Sequence, residues 1–187
     1  MKIIQIRGNN GTGKTTMVRG YIESHENELI SVKVGGRTVD CHKVGNNIVI
    51  GRYDKNECGG CDASIKTGDE LKETIAKVTR LYHPDTIVFE GVMYGKSFDF
   101  TYQIYRFALK VRAEFLAICL EPPFETTLER IYKRNGGKDV NISSLEKGYR
   151  ASILSNNKLE LGKIPIKRVN TAEMDEKGMR KALEEFV

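Results

Sequence analysis

No apolar run in this chain approaches membrane length. After Met1 and Lys2 the first hydrophobic stretch, residues 3–6, is cut off by Arg7 and a glycine-rich loop, far short of a secretory core or of the roughly 20 residues that span a bilayer. A cytoplasmic protein with no membrane partner is expected. Prolines number only four in 187 residues, and there is no Pro/Ser-rich linker, internal repeat or low-complexity tract. One domain over residues 1–187 is therefore expected, and a core at this length can bury roughly 70% of the unfolded surface. No disulfide or metal staple is required, and in a reducing compartment Cys41, Cys58, Cys61 and Cys119 are expected to be thiols or metal ligands.

What is present is the composition of an ordinary globular protein, 40% hydrophobic and 29% charged. The net charge of +5 and a pI near 8.9 suit a polyanionic substrate without demanding one. Short β-branched runs at residues 3–6, 29–34, 86–91, 115–120 and 164–169 alternate with helical spacing at 14–24, 67–82, 102–113, 122–133, 144–154 and 173–186. This alternation predicts an α/β fold with a parallel sheet covered on both faces and ligands at the carboxyl edge of its strands. Residues 37–43 and 47–52 alternate around "VGNN", the turn chemistry of a β-hairpin. They predict an insertion over about residues 36–63.

Residues 8–15, "GNNGTGKT", fit the pattern Gly, four residues, Gly-Lys-Ser/Thr. Gly8, Gly11 and Gly13 let backbone N–H groups converge on an anion at the start of a helix. Lys14 would reach the β and γ phosphates of ATP, and the Thr15 hydroxyl would ligate Mg²⁺. Asn9, Asn10, Thr12 and Thr16 complete the predicted nucleotide-binding set.

The receiving group is harder to read. No Asn-Lys-x-Asp guanine motif occurs, "NNKLE" and "GGKD" being the nearest sequences, and no acidic pair ends a second catalytic strand. A single acid, Glu90 in "IVFEGVMYGKS", follows the third core strand, where it would orient Mg²⁺ or accept a proton from an attacking hydroxyl. Farther on, "EPPFETTLERIYKRNGGKD" puts Arg130, Lys133 and Arg134 at one helical end before a Gly-rich loop. Such cations suit a lid over about residues 130–142 that stabilises the charge spreading in phosphoryl transfer.

The order "GNNGTGKTT", "FEG", "CLEPPFETTLERIYKR" resembles the thymidylate-kinase-like group of P-loop kinases over most of the chain. The resemblance implies a kinase-type P-loop NTPase fold built on a five-stranded parallel sheet, here with the inserted hairpin. It also implies ATP and transfer roles for Lys14, Thr15, Arg130 and Arg134, and an adenine border near Asn170 and Thr171. Thymidylate kinases carry Asp-Arg-Tyr/His where this chain has Glu90-Gly91-Val92, so the arginine that grips a nucleoside monophosphate is absent. With the hairpin and "GRYDKNECGGCDAS", the chain resembles the phage 5-hydroxymethyluridine DNA kinases, which phosphorylate a modified pyrimidine within DNA ahead of hypermodification. That resemblance implies a base leaving the stack to meet the γ-phosphate. Backbone contacts are then expected from Arg37, His42, Lys43 and Arg52, and stacking or phosphate contacts from Tyr102, Tyr105, Arg106 and Lys110. A kinase of a free nucleoside or nucleotide, and an ATP-switched nucleic-acid-binding protein, are the alternatives.

"CGGCD" admits three readings. Cys58 and Cys61 would complete a zinc site with Cys41 and His42, or form a redox pair. Alternatively their glycines bring backbone close to the acceptor, with Asp62 or Asp54 as an acid. Glu90 is the first candidate for the general base and Asp62 the second.

Overall fold

The computed structural model describes residues 1–53 and 60–187, the Met93 side chain apart. Seven strands are β1 (Lys2–Arg7), β2 (Asn27–Val34), β3 (Arg37–Val44), β4 (Asn47–Ile50), β5 (Thr86–Glu90), β6 (Glu114–Leu120) and β7 (Ile166–Val169). Among the described residues the α-helices are α1 (Lys14–Glu23), α2 (Gly68–Tyr82), α3 (Val92–Lys96), α4 (Phe98–Lys110), α5 (Phe124–Arg134), α6 (Ile142–Leu161) and α7 (Glu176–Glu184). The strands form one sheet in the order β2-β3-β4-β5-β1-β6-β7.

The predicted α/β class holds. Five contiguous strands, β4-β5-β1-β6-β7, are mutually parallel. β2 and β3 extend them antiparallel, so the sheet has seven strands rather than five. The hairpin is therefore not an appendage. Its second strand, β4, pairs directly with β5, from Asn47 opposite Thr86 to Ile50 opposite Phe89.

Alternation along the strands sorts two cores. Ile3, Ile87 and Phe89 face Leu71, Ile75 and Ile104 of α2 and α4. Ile4, Ile6 and Val88 face Met17, Val18 and Ile22 of α1 and Met179 and Leu183 of α7. By the same alternation Glu90 follows Val88 onto the α1 side, while Arg7 follows Ile3 onto the α4 side.

The helices begin where local chemistry starts them. Thr67 caps α2 in a reciprocal capping box with Glu70. The Ser97 hydroxyl accepts from Phe100 N at 3.1 Å, which starts α4 four residues before the spacing predicts. α6 runs seven residues past its predicted end because Ser155 and Asn156, although polar, are buried.

Candidate active site

β1 and β5 end side by side, Ile6 opposite Glu90, and the glycine-rich loop turns from β1 into α1. Gly8, Gly11 and Gly13 all have positive φ, so the loop needs glycine there. Thr12 Oγ1 and Lys14 Nζ both donate to the Asn9 carbonyl, at 2.9 and 3.0 Å. The Lys14 ammonium is buried with that carbonyl as its hydrogen-bond partner. Burial lowers its pKa, offset in part by Glu90 and Asp62. A buried ammonium whose hydrogen-bond partner among the described residues is a backbone carbonyl fits a polyphosphate that would restore its solvation.

Beside it, Thr15 Oγ1 donates to Glu90 Oε1 at 3.1 Å. Two oxygens so placed at the head of α1 could hold Mg²⁺, which keeps one or two carboxylates and otherwise binds phosphate and water. Burial raises the Glu90 pKa, opposed by Lys14 and the Thr15 hydrogen bond and reinforced by Asp62. Gly60 packs so tightly on this carboxylate that any side chain there would collide with it, and Gly91 stands in the same relation to the Asp62 carboxylate. Asp62 Oδ2 accepts from Val92 N at 2.5 Å, so the acid is fixed at the start of α3.

A cavity of about 980 Å³ joins these groups. Asn10, Gly11, Gly13, Lys14, Thr15 and Thr16 line it, with Asp62 from the 3₁₀ turn Cys61–Ala63, Glu90 from the end of β5, and Arg130, Lys133 and Arg134 from α5. Gly8, Asn9 and Thr12 are buried and shape the loop from behind. Arg130 donates to the Thr171 carbonyl at 2.6 Å and to Thr171 Oγ1 at 3.1 Å. That hydroxyl donates to the Thr12 carbonyl at 2.8 Å. α5 is thereby latched to the phosphate loop through the β7 exit. Arg134 makes no hydrogen bond or ion pair among the described residues, and its charge is felt by Lys14.

Other expectations fare differently. Successive strand positions point to opposite faces, so Cys41 packs with Cys61 in one core while His42 lies near Tyr53, ring centroids 6.0 Å apart. The sheet divides the zinc set, and Cys58, like Asp54, lies outside the described residues. Burial pushes the Cys41 thiol up to about 12 and the Cys61 thiol well up, the reverse of an activated redox thiol. His42 is buried and so withdrawn from a DNA-contacting face, Arg37 sits 3.8 Å from Glu70, and Tyr105 packs on Phe115. Cys119 is a core residue as expected.

Two cations escaped the sequence reading. Arg7 is fully buried and donates to Asn156 Oδ1 at 3.0 Å, Ser155 Oγ at 2.8 Å, the Tyr94 and Ser97 carbonyls at 3.3 and 3.2 Å, and Thr101 Oγ1. An arginine closing a buried strand is the signal that could have revealed it. Lys96 of α3 brings its ammonium beside Asn9 and Gly148, where a Cβ on Gly148 would meet it at 2.9 Å.

Comparison with known proteins agrees with this arrangement. A family model described as 5-hmdU DNA kinase matches residues 1–179. The 5-hmdU DNA kinase of Delftia phage PhiW-14 is 29% identical over 165 residues, which cover 82% of this chain and 62% of that protein. The 5-hmdU DNA kinase of Pseudomonas phage PaMx11 is 25% identical over 171 residues, 88% of each chain. The chain thus spans less than two thirds of the Delftia phage relative's length. In overall fold it is similar to the tunicamycin resistance protein of Deinococcus radiodurans, with a TM-score of 0.53 at 14% identity, covering 98% of this chain and 92% of that one.

Proposed function

The chain belongs to the 5-hmdU DNA kinase family, and we propose that it transfers the γ-phosphoryl group of ATP to the hydroxymethyl oxygen of 5-hydroxymethyluracil within DNA. Such an enzyme would work in the cytoplasm of a phage host. The family match over residues 1–179 carries the choice of a DNA base, and the pair of carboxylates, Glu90 and Asp62, bordering the cavity beside the phosphate loop favours a neutral hydroxyl over a nucleoside monophosphate. A nucleoside monophosphate would bring its own negative charge against both. A neutral primary hydroxyl meets no such repulsion and needs a base.

In the proposed step the hydroxymethyl oxygen bonds to the γ-phosphorus as the bridging bond to the β-phosphate breaks and ADP departs. The hydroxyl proton passes to Glu90, with Asp62 as the second candidate. A carboxylate whose proton affinity is raised by burial is better matched to that task than one exposed to water. Lys14 and the loop N–H groups would hold the β and γ phosphates, and Arg130 and Arg134 would face the charge that spreads over the phosphoryl oxygens. Thr15 would hold Mg²⁺, which supplies charge neutralisation at the phosphates; a Glu90 committed to the metal would leave the proton to Asp62.

The test is label transfer from γ-labelled ATP to DNA containing 5-hydroxymethyluracil, unmodified DNA, thymidine and thymidine monophosphate in parallel. Label on the modified DNA alone is expected. Label on thymidine or its monophosphate would make this a nucleoside or nucleotide kinase, and release only as inorganic phosphate would make it an ATPase switch.

A further inference from the structure

α4 carries a second feature that phosphoryl transfer does not use. Phe98, Tyr102, Arg106 and Lys110 recur every four residues along one face of the helix. The Phe98 and Tyr102 rings are stacked, 5.8 Å between centroids and 11° from parallel. The Arg106 guanidinium carbon lies 5.9 Å from the Tyr102 ring centroid, and Arg106 Nη1 donates to the Tyr102 hydroxyl at 3.2 Å. The result is a column of two rings ending in a guanidinium. Alongside it runs a groove of about 300 Å³ between α2 and α4, lined by Lys72, Tyr102, Gln103, Arg106, Phe107 and Lys110.

Its charge is one-sided. Lys72 is paired with Asp69 at 2.6 Å, but Arg106 and Lys110 have no carboxylate within ion-pairing distance among the described residues. Tyr102, a large aromatic side chain, is 39% exposed. An exposed ring backing an unneutralised arginine fits a ligand that offers both phosphate and a π face.

The column also points the right way. Arg7, at the end of β1, binds the carbonyls of Tyr94 and Ser97, so the aromatic end of α4 starts at the phosphate-loop edge of the sheet. At about 1.5 Å per residue the helix extends about 18 Å away from it between Phe98 and Lys110. At about 3.4 Å per nucleotide that is the length of about five nucleotides of one strand.

We infer that this groove docks the DNA strand flanking the acceptor base, with Tyr102 and Arg106 taking bases or sugars nearest the site and Arg106 and Lys110 taking phosphates. The inference rests on the proposed DNA acceptor, and it assigns where the polymer lies rather than where chemistry occurs.

The experiment compares wild type with Arg106→Gln/Lys110→Gln and with Tyr102→Ala. Substrates are single-stranded oligonucleotides bearing one 5-hydroxymethyluracil with one or six nucleotides on each side. Anisotropy of an unmodified oligonucleotide is measured in parallel, with ADP-induced thermal stabilisation as the control for fold. Expected are a lower KM for the longer substrate in wild type and an increase of tenfold or more in that KM in the double variant, with kcat and the KM for ATP unchanged. The slope of log affinity against log salt should shrink by about 1.4, the value for two phosphate contacts at about 0.7 each on single strands. Equal KM and equal salt slope in wild type and double variant would overturn the groove while leaving the DNA kinase reading intact. Wild type that labels no DNA would overturn that reading, and the anisotropy arm would still decide the groove by itself. Unchanged DNA affinity with a shift in sedimentation from dimer to monomer would assign the face to a second copy of the chain instead.

Discussion

At the scale of single residues the site stores electrostatic cost in order to be ready for its ligands. Glu90 is buried with a raised pKa, caused first by desolvation. An acid that binds its proton more tightly folded than unfolded contributes stability below its unfolded pKa and loses that contribution as pH rises through the folded value. At neutral pH, above the ordinary carboxylate range, burying Glu90 therefore destabilises the free protein. Glu90→Gln should raise Tm at pH 7.5, each kcal/mol corresponding to about 2–4 °C for a chain of this size, and the difference from wild type should narrow as the pH is lowered toward the ordinary carboxylate range. The same substitution should lower kcat by about 10²–10⁴-fold, the range for a lost general base, with ATP affinity changed little. It should also remove the acid limb of the kcat/KM profile, which in wild type lies above the pH of an ordinary glutamate because activity needs the ionised form. A stabilised variant that keeps wild-type kcat would remove Glu90 from the transfer step. Lys14 follows the same logic with opposite charge. Its ammonium is buried against a carbonyl and its pKa is lowered, so Lys14→Met should leave Tm unchanged or higher while abolishing label transfer. Circular-dichroism melts beside the transfer assay check this, and retained full activity would refute the phosphate role.

At the scale of elements the packing that holds the phosphate loop is backbone on backbone. A Cβ on Gly95 of α3 would lie 2.9 Å from the Gly8 carbonyl oxygen and 3.1 Å from its nitrogen, closer than such contacts allow. Neither atom is a flexible tip, so Gly95→Ala should destabilise by about 1–3 kcal/mol and raise the KM for ATP, measured by urea melts and steady-state kinetics. Arg7 ties the same elements from beneath through hydrogen bonds to α3, α4 and α6. Neither contact is legible in a string of letters, because each joins residues more than 80 positions apart. The phosphate loop, the acid ending β5 and the arginines of α5 were legible, since each depends on local spacing beside a strand or helix. The hairpin strands were legible too, but their place in the sheet was not. β4 is the near-continuous apolar run "NIVI", buried on both faces as parallel strands are, yet it leaves a hairpin turn. Turn chemistry dominates the local reading, whereas pairing with β5 is decided by distant residues. The end of α6 was missed for a related reason. Ser155 and Asn156 break apolar periodicity, and their burial is compensated by Arg7 and Glu121.

At the scale of the whole molecule, the proposed nucleotide site joins the phosphate loop near the start of the sequence to β7 and α7 near its end, with β5 and α5 between them. The phosphate loop leaves β1, while Met179 of α7 lies against Gly13 and Thr171 holds the Thr12 carbonyl. Beyond the site, Lys2 Nζ donates to the Phe186 carbonyl at 2.7 Å and Thr86 Oγ1 to the Val187 carbonyl at 3.3 Å. A ligand seated on this loop therefore grips elements from both ends, and its binding free energy should appear in global stability rather than in a local loop alone. With Mg²⁺ and ADP at about 100 times Kd the gain is about 2.7 kcal/mol, or about 5–10 °C at the conversion above. Because the same elements open together on unfolding, the heated transition should stay single and shift as a unit, reported alike by circular dichroism and by tyrosine fluorescence. Lys14→Met should lose the shift while keeping the single transition. A shift of equal size in that variant would mean that the stabilising ligand sits elsewhere, and two separated transitions would mean that the α7 side of the site melts independently of the phosphate loop.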